Sequence, residues 1–328
     1  MPVSSVLRLN MTGRDPDPQR EAARYRAAID MAKWCDEQGF SVVSVEEHHC
    51  AENGWLPSPL TMAGVLIGCT RNISVNVTAL LVTLYDPVRL AEDIAVLDLA
   101  SQGRLSFVAG LGYRPVEYHA MDKRWEDRGR LMDEVIETLL KAWTGEPFEY
   151  KGQTIRVTPV PYSRPHPTFF IGGMSRAAAR RAARFGLPFY PPMKMPELEA
   201  LYYAELEKHG QQGFVYYPDQ ENSMLFVDED PESAWHELAP HFLRETQEYS
   251  TWKQEGVPRP SEQETLTVED LREQKRYEIL TPDECVERIR GKGNDFIGVM
   301  HPLAGGVPVE RAWQMLELYV SKVLPRVS

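Results

Sequence analysis

Along the first third of the chain, short apolar runs alternate with longer segments whose apolar positions recur every three or four residues. The run SVLRLN (5–10) precedes a segment at 19–38 where Tyr25, Ala28, Ile29, Ala32 and Cys35 share one helical face, closed by Gly39. SVVSVE (41–46) is followed by SPLTMAGVLIGCT (58–70), with Ser58 able to cap a helix and Pro59 in its first turn. ISVNVTALL (73–81) leads into 86–101, where Asp86 suits an N-cap, Pro87 the first helical position, and Leu90, Ala91, Ile94 and Leu97 turn inward. GRLSFVAGLG (103–112) then begins the next unit. Nearly all-apolar strands, each followed by an amphipathic helix, define a parallel sheet covered by helices.

The alternation continues. After a helix at 126–143 and a hairpin at 148–157, turning at Lys151-Gly152, TFFIGG (168–173) supplies a fifth core strand and SRAAARRAARFG (175–186) its helix. Further strands follow at 187–192, 222–228 and 295–303, and a last helix at 308–324 repeats apolar positions at Ala312, Met315, Leu316, Tyr319 and Val323. Eight strands with interleaved helices predict an α/β fold of the (β/α)8 TIM-barrel type, 1–328 forming one domain. A doubly wound open sheet is the alternative. The segment 194–280 is charged and rich in Glu and Gln, and is predicted to be a helical, partly mobile insertion before the last strands, serving as a lid.

Charge narrows the partners. With 48 acidic against 36 basic residues, the net charge of −12 repels nucleic-acid backbones and anionic membrane surfaces. No apolar run approaches the roughly 18–20 residues that span a bilayer, and the N-terminus lacks a basic, then apolar, leader, so a cytoplasmic location is expected. The four cysteines, Cys35, Cys50, Cys69 and Cys285, form no CxxC pair and read as reduced structural thiols.

A barrel places its chemistry at the C-terminal strand ends. That rule selects Asn10, Glu47, His48, Thr78, Ala79, Gly110 to Tyr113, and Gly172 to Ser175. In VEEHHC, neighbouring side chains of an extended chain point oppositely, so His48 and His49 do not chelate one ion together; no metal site is expected, and a metal-dependent hydrolase falls with it. A single inward imidazole, able to exchange a proton near neutral pH, is the catalytic candidate. In FFIGGMSRAAARR the paired Gly172 and Gly173 with a helix start at Met174-Ser175 suit one phosphate, not the three-glycine dinucleotide turn. Arg176, Arg180 and Arg184 form a stripe of which Arg176 alone lies in the first turn. Gly110 and Gly112 make a loop that a flat ring can approach, and Trp55, Tyr113, Tyr118 and His119 are loop residues able to line a pocket or simply to pack.

Taken in order, VEEHH, LYDPVRLAEDIAVLDLASQGRLSFVAGLG, FFIGG with SRAAARRAARFGLPF, and GGVPVERAWQMLELYVSKVLP resemble the bacterial luciferase-like flavin monooxygenase superfamily, which includes deazaflavin-dependent oxidoreductases. The resemblance implies a barrel that pairs into a homodimer, His48 at the reacting centre, a cis Thr78–Ala79 bond lining the flavin ring, and the cofactor phosphate at Gly172, Gly173, Met174 and Ser175. Asn10, Glu47, Gly110 and Gly112 are expected along the cofactor. Leu111 stands where luciferase catalytic subunits carry a phosphate-contacting arginine, and Gly172-Gly173 replaces their acidic-serine pair. The resemblance further implies reduced FMN and O2 acting on a small organic substrate in a dry pocket, with a separate flavin reductase supplying the cofactor. The alternatives are hydride transfer with the deazaflavin coenzyme F-420 and a non-catalytic flavin-binding barrel.

Overall fold

The computed structural model of the chain describes residues 3–218, 224–252 and 267–327. β1 (Ser4–Leu9) is followed by α1 (Pro18–Glu37), β2 (Val42–Val45) by α2 (Pro59–Cys69), β3 (Ser74–Leu80) by α3 (Pro87–Ser101), and β4 (Leu105–Ala109) by the short α4 (Pro115–Ala120) and α5 (Arg128–Ala142). An antiparallel ribbon of β5 (Phe148–Tyr150) and β6 (Gln153–Ile155) precedes β7 (Thr168–Gly172), α6 (Arg176–Phe185), β8 (Phe189–Tyr190) and α7 (Pro196–His209). Then come β9 (Met224–Val227), α8 (Pro231–Thr251), α9 (Val268–Gln274), β10 (Tyr277–Leu280), α10 (Pro282–Lys292), β11 (Ile297–Met300) and α11 (Val309–Leu318).

The main sheet runs β10-β9-β11-β1-β2-β3-β4-β7-β8, and its pairings are parallel. β11 returns beside β1, the step by which a βα series wraps into a TIM barrel. At the other edge, Phe189 of β8 bridges to Val215. Alternate residues of the first four strands, Leu7, Leu9, Val43, Val45, Val75, Val77, Leu105 and Phe107, are buried in one core with α1 to α3. The intervening positions carry polar groups that bond one another: Arg8 pairs with Glu46, and Asn76 Nδ2 donates to Ser106 Oγ at 2.7 Å.

Local caps follow the sequence with one exception. Asp86 accepts from the backbone N–H of Val88 and Arg89 at 3.0 and 3.2 Å, whereas Ser58 bonds Thr61 Oγ1 at 2.8 Å and leaves its helix start uncapped. The strand count also differs from expectation. β10 is a ninth member of the main sheet, four residues long within a charged stretch, where period-two alternation is too brief to stand out. Residues 194–280 are therefore more than an insertion, since they hold α7, β9, α8, α9 and β10. Most of the Gln- and Glu-rich stretch 252–267 lies outside the described residues. No described helix is long and apolar enough to cross a membrane.

Candidate active site

β2 ends at Val45, and the next three side chains go to three different places. Glu46 turns to Arg8. Glu47, 2 % exposed, accepts at Oε2 from the Leu81 backbone N–H (2.6 Å) and at Oε1 from the Tyr85 hydroxyl (2.5 Å), and faces His49 Nε2 at 3.0 Å. His48 meets Glu117 Oε1 with Nδ1 at 3.0 Å and the Tyr113 hydroxyl with Nε2 at 3.1 Å. Each histidine thus has its own carboxylate. No group of His, Cys, Asp or Glu among the described residues is arranged to hold a metal ion.

The proton positions on His48 follow from its partners. Glu117 Oε1 already accepts from the His49 backbone N–H (3.0 Å) and from Arg114 Nη1 (3.2 Å), so it acts as an acceptor and His48 Nδ1 donates. Nε2 is then free to accept from Tyr113. Burial pushes the Tyr113 phenol well above its ordinary value, helped by its hydrogen-bonded neighbour Tyr249, so the hydroxyl keeps its proton. Glu117 is fully buried, and its second oxygen, Oε2, has no hydrogen-bond partner.

Aromatic rings enclose the imidazole. Trp55 lies edge-on at 4.9 Å, Tyr113 at 5.3 Å and Trp252 at 4.8 Å between ring centroids, while Tyr249 packs behind Trp55 at 5.9 Å. Arg114 stacks on Trp252 at 4.0 Å and donates to the carbonyls of His49 and Cys50 at 2.5 and 3.3 Å, fixing the loop after β2. The result is a nearly dry histidine, 8 % exposed, with a hydrogen-bond partner on each nitrogen.

A second group of predicted residues forms the glycine side of the rim. The Thr78–Ala79 bond is cis, at the point where the β3–β4 register shifts. Gly110 passes close to it: a Cβ there would lie 2.9 Å from that of Ala79, and its N–H donates to Leu80 O at 2.8 Å. At Gly172 a Cβ would meet Val108 Cγ1 at 2.7 Å, and Gly173 has a φ of +145° that favours glycine. Ser175 caps α6 by accepting from Ala178 N–H at 3.2 Å, which leaves the first N–H groups of the helix without intrahelical acceptors, as at any helix start. Asn10, fully buried after β1, accepts from the backbone N–H of Thr12 at 3.1 Å, while its Nδ2 has no partner. An orphan donor and a glycine cradle at a helix start fit a ligand with a ring carbonyl and a phosphate, as a flavin mononucleotide has.

Several expectations are revised by this geometry. Glu47 uses both oxygens on the protein itself and braces the loop. Tyr118 is buried in a separate cluster with Leu81 and Leu84, its hydroxyl between Thr83 Oγ1 and Leu111 O, both at 2.6 Å. His119 is exposed on α4. Trp55 and Tyr113 do join His48. On the arginine stripe, Arg180 pairs with Glu205 at 3.6 Å and Arg184 with Asp133 at 2.8 Å, both structural. Glu117, Arg114, Tyr249 and Trp252 were not foreseen; a glutamate two residues after Pro115 was the sole local hint, since the contact with His48 spans 69 positions.

A partnered histidine at the end of the second strand and a glycine cradle at the end of the fifth barrel strand suit an acid-base group beside a phosphate-bearing ligand. The sequence profile of the luciferase-like monooxygenases matches residues 6–295, and the chain belongs to that family. It is similar to the alkanal monooxygenase beta chain of Vibrio harveyi, 28 % identical over 193 residues, covering 56 % of this chain and 59 % of that one. The chain spans about half the length of the curated relatives it matches. Its fold is shared with monooxygenase RslO1 of Streptomyces bottropensis, with a TM-score of 0.75 at 22 % identity over 99 % of this chain and 100 % of that one. It is also shared with the oxygenating constituent of 3,6-diketocamphane monooxygenase from Pseudomonas putida, solved with FMN, with a TM-score of 0.69 at 17 % identity over 100 % of this chain and 99 % of that one.

Proposed function

We propose that this monooxygenase uses reduced FMN and O2 to oxidise a small organic substrate, with His48 as its acid-base group. The observation that carries the proposal is the His48 imidazole, held between Glu117 and Tyr113 inside an aromatic enclosure. Reduced FMN, when bound, supplies the electrons that activate oxygen. Gly172, Gly173, Met174 and Ser175 would hold its phosphate, while Asn10, the cis Thr78–Ala79 bond, Gly110 and Gly112 would border its ring.

His48 donates from Nδ1 to Glu117 and accepts at Nε2 from Tyr113. A proton taken up at Nε2 would be stabilised by the Glu117 carboxylate on the far nitrogen, which orients the ring and compensates its charge. Trp55, Tyr113 and Trp252 keep bulk water from the imidazole and so preserve the strength of these bonds. Arg114 and Glu47 hold the loop that carries both histidines. Supply of reduced flavin by a separate reductase, a homodimer, a cytoplasmic setting, one domain over 1–328 and closure of part of 194–280 over the site belong to the same proposal. Reduced coenzyme F-420, acting by hydride transfer, is the competing cofactor.

Rapid mixing of protein charged with reduced FMN against air-saturated buffer tests the role of His48. Its replacement by Ala should change the rate of flavin reoxidation by about 10² to 10⁴, the usual worth of a positioned acid or base. An unchanged rate would remove His48 from the chemistry.

A further inference from the structure

A second buried polar cluster lies where β1, β10 and the turn after β11 converge. At its centre is Glu245 of α8, 4 % exposed. Its Oε1 accepts from the Tyr277 hydroxyl at 3.2 Å; its Oε2 takes the Thr12 hydroxyl and the Gly305 backbone N–H (3.1 Å), and faces His301 Nε2 at 3.4 Å. Burial alone would raise this carboxyl, yet His301, Arg8 and Thr12 together hold it well below the usual range. Burying a carboxylate is costly even when it is paired, and apolar residues of similar volume serve a core as well or better. Four donors from three separate parts of the chain therefore call for a purpose beyond packing.

That purpose is legible along the helix. Four residues beyond Glu245 comes Tyr249, and seven beyond comes Trp252, on the same side of α8. Tyr249 packs on Trp55 and Tyr113 at 5.9 and 6.0 Å, and Trp252 on His48 and Trp55 at 4.8 and 5.3 Å. Just before Tyr249, Glu248 accepts from the Asn53 backbone N–H at 3.3 Å. Pro240 lies inside α8 and removes one helical N–H upstream of this segment.

We propose that Glu245 is a positioning residue that pins the second half of α8 to the barrel rim, so that Tyr249 and Trp252 form the wall around His48. Its bearing on catalysis rests on the function proposed above, but its test does not. The chain has seven tryptophans, of which Trp55 and Trp252 flank His48 and Trp235 sits on α8 ahead of Pro240. Fluorine NMR of cofactor-free protein labelled with 5-fluorotryptophan, each resonance assigned by a Trp→Phe substitution, reads all seven at once. In Glu245→Gln the Trp55 and Trp252 resonances should shift or broaden, while Trp34, Trp125, Trp143, Trp235 and Trp313 stay in place. Thr12→Val, which removes one donor, should move the same two resonances less, and decides the matter if Glu245→Gln does not fold. Glu232→Gln, which breaks the exposed pair with Arg272 at the start of α8, should move neither. Unmoved Trp55 and Trp252 signals, or all seven displaced together, would overturn the proposal.

Discussion

Replacing Glu117 by Gln isolates the carboxylate that faces His48. The substitution keeps the side-chain shape and one carbonyl oxygen, so the His49 N–H and Arg114 retain an acceptor, but the charge is gone. A hydrogen bond to a charged partner contributes about 1.5–3 kcal/mol net. If that stabilisation is realised when His48 takes up a proton, then at about 1.4 kcal/mol per decade the step slows by about 10- to 150-fold. Stopped-flow absorbance of flavin reoxidation measures the rate, and ¹⁵N NMR of labelled histidine reports which ring nitrogen bears the proton. In wild type and variant alike the signal of His48 should be that of an Nδ1–H tautomer, since the amide oxygen still accepts that proton. A retained tautomer with a rate within twofold of wild type would refute the coupling of the Glu117 charge to catalysis. A wild-type His48 protonated at Nε2 would refute the hydrogen-bond assignment itself.

Other consequences are open to simpler measurements. Asp36 accepts the backbone N–H groups of Arg71, Asn72 and Ile73 at 2.6, 2.9 and 2.7 Å; burial raises its carboxyl, but these bonds outweigh it and hold it low. Its stabilisation is therefore complete above the ordinary Asp value of about 3.9 and is lost as pH falls through the lower folded value, so the gap in urea stability between wild type and Asp36→Asn should be widest above about pH 5 and close toward pH 2. Gly172→Ala sets a methyl against Val108 Cγ1, 2.7 Å away, and should cost about 1–3 kcal/mol in urea unfolding. Among the thiols, Cys50 is exposed and should react first with a disulfide reagent, whereas Cys35 and Cys285 are buried, the latter pushed up by burial to about 12, and should react only on unfolding.

The barrel was legible because its strands and helices carry their periods locally: Leu90, Ala91 and Ile94 are buried as the spacing foretold, and Asp86 caps where it should. β10 was missed because Tyr277 and Ile279 are only two buried positions in a run dominated by charge. The same limit governs the site. Strand alternation separated His48 from His49, which meet different carboxylates, and the resemblance supplied the cis bond between Thr78 and Ala79. Local pattern carries no trace of partners that meet through tertiary closure. Glu117 reaches His48 from α4, and Trp252 comes from the end of α8, each looking in sequence like an ordinary helical or loop residue. Tyr118 and His119 misled for the converse reason, since membership of a loop beside the site does not tell which way a side chain turns.

Choice of cofactor is the central claim, and anaerobic titration tests it most directly. Reduced FMN and reduced coenzyme F-420 are added separately to the purified chain, binding is followed by quenching of tryptophan fluorescence, and oxygen is then admitted. Tight binding of reduced FMN with oxygen consumption, and weak or no binding of reduced F-420, is the result predicted. Preference for reduced F-420 with no oxygen consumed would contradict it.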